Sequence, residues 1–557
     1  KSRGLKYSFH TSDSSPMTIE ESQRSSVFLE GRALDIESNS DYPGTDQELL
    51  EINANRIFLK DDIYDPEITW GDNDRNIRNL EYYNLYKDVR SKQASSTAFL
   101  YDKETALCEM FAASNWGATY GDLRDIACWQ VMQGIGFIVP HAYHYRLHGE
   151  TKYFAPPDFS KKSHLTAEMR KFNDTIATYA AVCNEGKLIA PVALMDITDE
   201  LWRGKSVGKE FFDAAEKLNR MPYGYVIADM KSIKRKAGEF SVAVNPGVSL
   251  TDEEEKFLKD NNISVITADE LDKLSALIPA DVSYEGSGRP NYMRRMTSYG
   301  EMLVVSNVQD KEPIKGMITF KGKSYEIELY CGELCYFKEN DACYRKPRDL
   351  TKSRKIILPE TAEVKWAQDN IIPIERWMDK DYMPILKGNE EKEMMFTFTV
   401  KSSVGKTSLY ISDEHLKHIK KITIDGVEKK ITGKDKVFDD NYNVFDITDC
   451  MTKGKHKLII HKDGILNSTD LILLKGEFDA LVKVVERCHK FSGYHYGMYR
   501  YIPRHAEVFI SSPSYEIRTD KSWAEQGRPF YSGKATYKMK VTTDDSFKKA
   551  LLKLGRT

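Results

Sequence analysis

The chain has no long hydrophobic run. Nowhere in its 557 residues does an apolar stretch approach the roughly 20 residues that a membrane helix needs, so no membrane partner is expected. Charge of one sign is not concentrated either. Its 81 Lys and Arg face 84 Asp and Glu, a net charge of -3, with no basic block, so nucleic acid is not the expected partner. No G-x-G-x-x-G or P-loop opens a helix after a strand, which argues against a nucleotide enzyme. Cysteine is sparse, at eight residues. The one cluster, "CGELCYFKENDAC" (Cys331, Cys335, Cys343), lacks C-x-x-C pairing and a nearby histidine, so buried or surface thiols are expected there rather than a metal site. The absence of a disulfide scaffold, and of an apolar leader in "KSRGLKYSFHTSDSS", leans toward a reducing, cytoplasmic compartment. The first residue is not Met, which leaves open both processing and a longer parent polypeptide. Oligomeric state is not legible.

What is present is an ordinary globular composition, 41% hydrophobic and 30% charged, and a length that suggests roughly three or four domains. From about 106 to 270, short apolar runs alternate with helical spacing. "TALCEMFAA", "GFIVPHAYHY", "KLIAPVALMD", "YGYVIADM", "EFSVAVNPG" and "ISVIT" read as strands. "YGDLRDIACWQVMQGI", "LTAEMRKFNDTIATYAAVCNEG", "GKEFFDAAEKLNRM" and "TDEEEKFLKDNN" read as helices. Such alternation implies βαβ units and a parallel sheet, open or closed. From about 281 the texture becomes short strands between Gly and polar turns, and again from about 390, as in an all-β sandwich. "IDGVEK" is a hairpin signal. "KSRKIILPETAEVKWAQDN" reads as the passage between the two β regions. The expected organisation is therefore an α/β part over 1–280, a small β domain over 281–350 and a β-sandwich region over 351–557.

In a parallel sheet, functional groups gather at the carboxyl ends of strands. Three such ends carry suitable residues. Glu109 precedes the loop "ASNWG", where Asn115 could bind a ligand and Trp116 offers a flat face for a sugar ring. A carboxyl shielded by apolar neighbours can act as a general acid; the plain alternative is a solvated strand-end glutamate. "VPHAYHYRLHG" supplies His141, Tyr143, His144 and Tyr145, groups suited to a polyhydroxylated ligand, or simply strand residues packing under helices. His141 and His144 fall on opposite faces of a regular strand, so a shared metal is not expected. Asp229 ends "VIADM", with Asp196 and Asp199 in "ALMDITDELW". Asp229 is either the second carboxylate of the pair that glycoside hydrolysis uses or the cap of the next helix.

Taken together, residues 91–159 resemble large bacterial glycoside hydrolases with a (β/α)8 catalytic barrel. The pattern is similar to that of the α-L-rhamnosidases of glycoside hydrolase family 106 and their relatives. It is carried by Ser95-Ser96, Glu109, Asn115-Trp116-Gly117, Pro140-His141-Ala142, Tyr145 and Pro156-Pro157, in that order. "YGYVIADMKSI" with "GEFSVAVNPGVSL" is similar to the family's strand-seven region. "YMRRMTSYGEMLVVSN" resembles its small β domain, and "KKITIDGVEKKI" with "NVFDITDCMTKGKHKLII" resembles a galactose-binding-like sandwich. "SWAEQGRPFYSGKATYKMKV" looks like the family's terminal strand pair. The resemblance implies an oligosaccharide or glycoside substrate. It makes Glu109, ending strand four, the general acid and Asp229, ending strand seven, the base, with Asp196 in reserve. Calcium is the one cofactor the family analogy allows. Two departures stand against it. The region before Glu109 is short and polar where the family has three barrel strands and a further β region. "GIGF" (Gly134 to Phe137) also replaces the family's "GiN", removing an asparagine. A non-catalytic carbohydrate-binding or scaffold protein on a degraded hydrolase barrel is the rival expectation.

Overall fold

The computed structural model describes residues 5–11, 31–47, 89–112, 118–147, 157–161, 163–279, 281–308, 313–339, 358–374, 393–437, 439–463, 472–487, 504–529, 531 and 534–542. The chain forms two compact units. The first holds the described residues up to Tyr143 and from 157 to 339; the second holds 144–147 and those from 358 onward. No helix among the described residues is long and apolar enough to cross a membrane.

The first unit contains two four-stranded parallel sheets. One runs β1 (Ser8–Thr11), β2 (Tyr42–Gln47), β3 (Ala106–Met110), β4 (Ile135–Pro140) in spatial order. The antiparallel β5 (Lys187–Leu188) stands apart from it. The other sheet comprises β6 (Val192–Met195), β7 (Tyr225–Ala228), β8 (Val242–Asn245) and β9 (Ser264–Thr267), in the order β7-β6-β8-β9. The helices between them are α1 (Ala33–Glu37), α2 (Arg90–Leu100), α3 (Tyr120–Met132), α4 (Met169–Asn184), α5 (Thr198–Trp202), α6 (Gly208–Asn219), α7 (Met230–Arg235) and α8 (Asp252–Asp260). Capping boxes start two of them: Thr119 with Asp122 opens α3, and Thr251 with Glu254 opens α8. Each pair satisfies two amides that a helix start leaves without intrahelical partners.

The expected strands and helices over 106–270 are present, with corrections at two of the strands. "KLIAPVALMD" is not one strand. Pro191, which has no N–H to give a ladder, separates β5 from β6. β5 then pairs antiparallel with a strand further on, at Arg295 and Met296.

Among the described residues the two parallel sheets do not close into a barrel. Their strand order, and helix α2, show why. α2 packs against β2 and β3 of the first sheet and β7 of the second. Among the described residues β7 is an edge strand, and the Ser96 hydroxyl accepts a hydrogen bond from the Ile227 amide on it, at 2.9 Å. A side chain thus occupies an edge group that the next strand of a ring would have taken. Ser95 and Ser96 of the sequence resemblance lie inside this buried helix.

The unit continues with β10 (Val282–Ser287), β11 (Asn291–Thr297), β12 (Gly300–Asn307), β13 (Ile314–Phe320), β14 (Lys323–Leu329) and β15 (Glu333–Lys338). They form two antiparallel sheets, β10-β13-β14 and β15-β12-β11-β5. Cys331 and Cys335 are buried here, and burial pushes the Cys335 thiol up to about 12. Cys343 lies outside the described residues.

The second unit is built of strands, as its alternation predicts. A five-stranded sheet (β17-β25-β19-β23-β22) and a six-stranded sheet (β21-β20-β24-β18-β27-β26) share one core. The five-stranded sheet comprises β17 (Asn370–Pro373), β19 (Thr407–Ser412), β22 (Gly433–Val437), β23 (Asp440–Asp446) and β25 (Leu473–Gly476). The six-stranded sheet comprises β18 (Glu393–Val400), β20 (Ile419–Ile424), β21 (Val427–Glu428), β24 (Gly454–Lys462), β26 (Asp479–Arg487) and β27 (Arg504–Ser511). Alternate residues of β18, including Phe396 and Phe398, point inward to meet Leu409, Ile411 and Phe445 from the other sheet. This is the two-layer arrangement that strand periodicity dictates. "IDGVEK" is the expected hairpin: Asp425 and Gly426 both take positive φ (50° and 82°) between β20 and β21. "TAEVKW", read as part of a connecting passage, is instead β16 (Thr361–Trp366). It pairs on both sides with β28 (Glu516–Arg518) and β29 (Ala535–Lys538).

Candidate functional site

Glu109 is the penultimate residue of β3, a strand buried by Leu107, Cys108 and Met110. In register beside it stand Asp46 on β2 and Val139 on β4. Paired residues of neighbouring parallel strands share a face, so Asp46 and Glu109 form a carboxylate row near the strand ends. The Glu109 side chain is 26% exposed. Just past β4, the His141 amide donates to the Met110 carbonyl at 2.9 Å. That bond ties the turn to the end of β3 and brings the imidazole Nε2 to 3.9 Å from Glu109 Oε1. The His141–Ala142 peptide is cis. Phe111, directly after β3, has φ 81°, a conformation that costs a non-glycine residue on the order of 1–3 kcal/mol. Its ring is held between Phe159 and Phe172, at centroid distances of 6.0 and 5.9 Å.

Asn115 and Trp116 lie outside the described residues. Tyr143 and Tyr145 are 67% and 92% exposed. The strand expected over "GFIVPHAYHY" ends at Pro140, and residues 144–147 fold with the second unit. There the Leu147 amide donates to Asp439 Oδ2 at 2.6 Å, and the Asp439 amide to the Leu147 carbonyl at 3.2 Å. The absent asparagine also has a structural reason. A Cβ on Gly136 would come within 2.3 Å of Thr105 Oγ1 and 2.6 Å of Asn184, so a side chain there would have to displace both.

A second group of carboxylates forms on the other sheet. Met195 of β6 pairs with Ala228 of β7, so Asp196 and Asp229 follow their strands side by side. The Asp196 amide donates to the Ala228 carbonyl at 3.0 Å. Asp229 caps α7, accepting from the Ser232 amide at 2.8 Å; Asp196 accepts from the Thr198 amide at 3.0 Å. Arg32, one residue before α1, enters between them. Its guanidinium lies 3.2 Å from Asp229 Oδ2, 2.5 Å from Asp199 Oδ1 and 3.5 Å from Asp196 Oδ1. It also lies 5.6 Å from the ring centre of Trp202. Burial pushes the Asp196 carboxyl above the usual carboxylate range, against the opposing pull of Arg32 and the Thr198 amide. A carboxyl perturbed by burial beside a specific charge marks a candidate functional group.

Glu109 and Asp229 thus stand on different sheets. The arrangement pairs Glu109 with His141, and Asp229 with Asp196 and Arg32. Sequence reading missed Arg32 and Asp46. "EGRALDI" carries no motif, and "DYPGTDQ" reads as a polar turn although it pairs as β2. No three His, Cys, Asp or Glu gather as a metal site among the described residues. The three aspartates around Arg32 enclose a cation of the protein's own, so they do not fit calcium.

No family model matches the chain, and no curated protein matches it. Solved structures do. A rhamnosidase from Novosphingobium sp. PP1Y is 13% identical over 79% of this chain and 52% of its own, with a TM-score of 0.43. An exo-carrageenase GH42 from Bacteroides ovatus is 11% identical over 40% of this chain and 39% of its own, with a TM-score of 0.30. A GH42 β-galactosidase from G. stearothermophilus is 9% identical over 77% of this chain and 60% of its own, with a TM-score of 0.28. The structures that this chain is similar to are glycoside hydrolases. The chain spans about half the length of the rhamnosidase. At these scores the likeness says nothing of this chain's own chemistry, which rests on its residues.

Proposed function

We propose that the protein acts in glycan hydrolysis as an α-L-rhamnosidase-like glycosidase of plant or microbial glycans. Glu109 is its proton donor and Asp229 its base. The observation that carries this reading is the position of Glu109, half-shielded at the carboxyl end of a parallel strand and within 3.9 Å of the His141 imidazole. The sequence resemblance adds to it. Glu109 protonates the departing glycosidic oxygen, with the His141 imidazole beside that carboxyl. Asp229 activates a water on the other face of the sugar, with Asp196 in reserve. In the inverting scheme the two carboxyls stand about 6.5–9.5 Å apart when substrate is bound. Asn115, Trp116 and Tyr143 belong to the proposed substrate contacts, and calcium stays an analogy without ligands among the described residues.

One observation favours a second reading, a carbohydrate-binding or scaffold protein. Arg32 fills the space between Asp196, Asp199 and Asp229, and Asp229 is already a helix cap. The test is hydrolysis of an aryl-glycoside panel by the full chain, with calorimetric titration of plant oligosaccharides alongside. Turnover lost in Glu109→Gln supports the enzyme; binding without turnover supports the scaffold.

A further inference from the structure

Helix α2 buries a lysine. Lys92 is 6% exposed, and its amine lies 4.7 Å from the ring centre of Tyr225. Burial alone acts on that amine, pushing it down to about 8; no carboxylate among the described residues holds it charged. Lys92 lines a cavity of about 20 Å³ with Gln133, Asn219, Tyr223, Tyr225 and Asn291. That is somewhat more than a single water requires. Gln133 is 2% exposed and donates through Nε2 to Asn219 Oδ1 at 3.2 Å. Its Oε1 is buried and has no hydrogen-bond partner among the described residues. One small cavity is therefore lined by a lysine and by a glutamine whose Oε1 lacks a donor among the described residues.

We propose that Lys92 is a covalent modification site for a small uncharged electrophile of the isocyanic acid class, taken up in the cavity it shares with Gln133. The neutral amine's lone pair attacks the central carbon. The new N–C bond forms as the electrophile's C=N π bond breaks, and the proton released by the amine passes to the electrophile's nitrogen. The product is a carbamoyl-lysine, an uncharged urea; nothing departs and no further reactant is needed. An uncharged adduct suits a site without a counter-ion, and its new N–H groups are the donors that Gln133 Oε1 lacks. Carbon dioxide has a similar shape but would leave an anionic carbamate, which these walls have no cation to balance.

The test exposes the full chain to cyanate at pH 7 and follows each lysine by peptide mass mapping. Relative to a surface lysine near 10.5, the neutral fraction of Lys92 is about 300-fold larger. A Brønsted slope near 0.5, borrowed from thiol chemistry, returns much of that. Lys92 should react roughly tenfold ahead of the surface lysines in the folded chain. The lead should vanish in guanidinium and shrink in Gln133→Leu. A Lys92 that reacts no faster than surface lysines in the folded protein overturns the proposal. So does a carbamate formed from ¹³C-bicarbonate with no reaction toward cyanate.

Discussion

Lys92→Met keeps the length of the side chain and removes the amine from surroundings that offer it no counter-charge. The amine falls from 10.5 in the unfolded chain to about 8 in the folded one, so the unfolded chain binds the proton more tightly. At about 1.36 kcal/mol per pH unit, the buried site costs roughly 3 kcal/mol wherever both states are protonated. Below pH 8 that cost is present in full. Between pH 8 and 10.5 the folded lysine is neutral while the unfolded one is still charged, so wild-type stability rises with pH and the cost fades. The other titratable groups that line the cavity are Tyr223, Tyr225 and Tyr292. Burial pushes all three hydroxyls up, so they do not ionise early in that window. Methionine carries no such term. The variant should therefore be more stable than wild type by up to about 3 kcal/mol at pH 7, converging on it near pH 10.5. Guanidinium unfolding of both proteins at pH 7, 8, 9 and 10, followed by tryptophan fluorescence, gives the difference curve. A difference that stays flat with pH would refute the reasoning, because it would mean that Lys92 has a counter-charge or is hydrated. Carbamoylation removes the same charge, so the modified wild type should gain stability in the same direction.

Glu109→Gln should lower turnover of natural glycosides by about 10²–10⁴-fold, the usual worth of a general acid. The loss should be smallest for aryl glycosides with good leaving groups; equal losses across leaving groups would exclude proton donation. Arg32→Met removes the cation from among Asp196, Asp199 and Asp229 and should cost about 3–5 kcal/mol at pH 7, read from the guanidinium midpoint. Because protonation discharges the aspartates, the cost should shrink toward pH 4, and a loss independent of pH would assign it to packing. Gly426→Ala should cost on the order of 1 kcal/mol, measured on the full chain. Nothing lies near its added Cβ, but φ there is 82°. A neutral outcome would mean that the turn relaxes.

Local interactions made much of this chain legible. β3, α3, β6, α6 and α8 follow from apolar spacing and capping residues within a dozen positions, and the Asp425-Gly426 hairpin from two residues that tolerate positive φ. Glu109 could be singled out for the same reason, because a strand end is a local event. Helix α2 could not. "RSKQASSTAFL" has the polarity of a surface segment, yet it is buried because its hydroxyls bond to backbone. Ser96 Oγ donates to the Lys92 carbonyl at 2.5 Å, Thr97 Oγ1 to the Gln93 carbonyl at 3.1 Å, and Ser95 Oγ to the Gln133 carbonyl at 2.5 Å. Whether parallel strands close a ring depends on which edges pair across long stretches of sequence, and here a helix takes the edge of β7. The setting of Asp229 was likewise decided in three dimensions. Arg32 lies 197 positions away in the chain, and no local pattern records that a guanidinium will arrive among those carboxylates. Spacing along the chain governs the elements; the field that each buried charge feels is made by residues that only folding brings near.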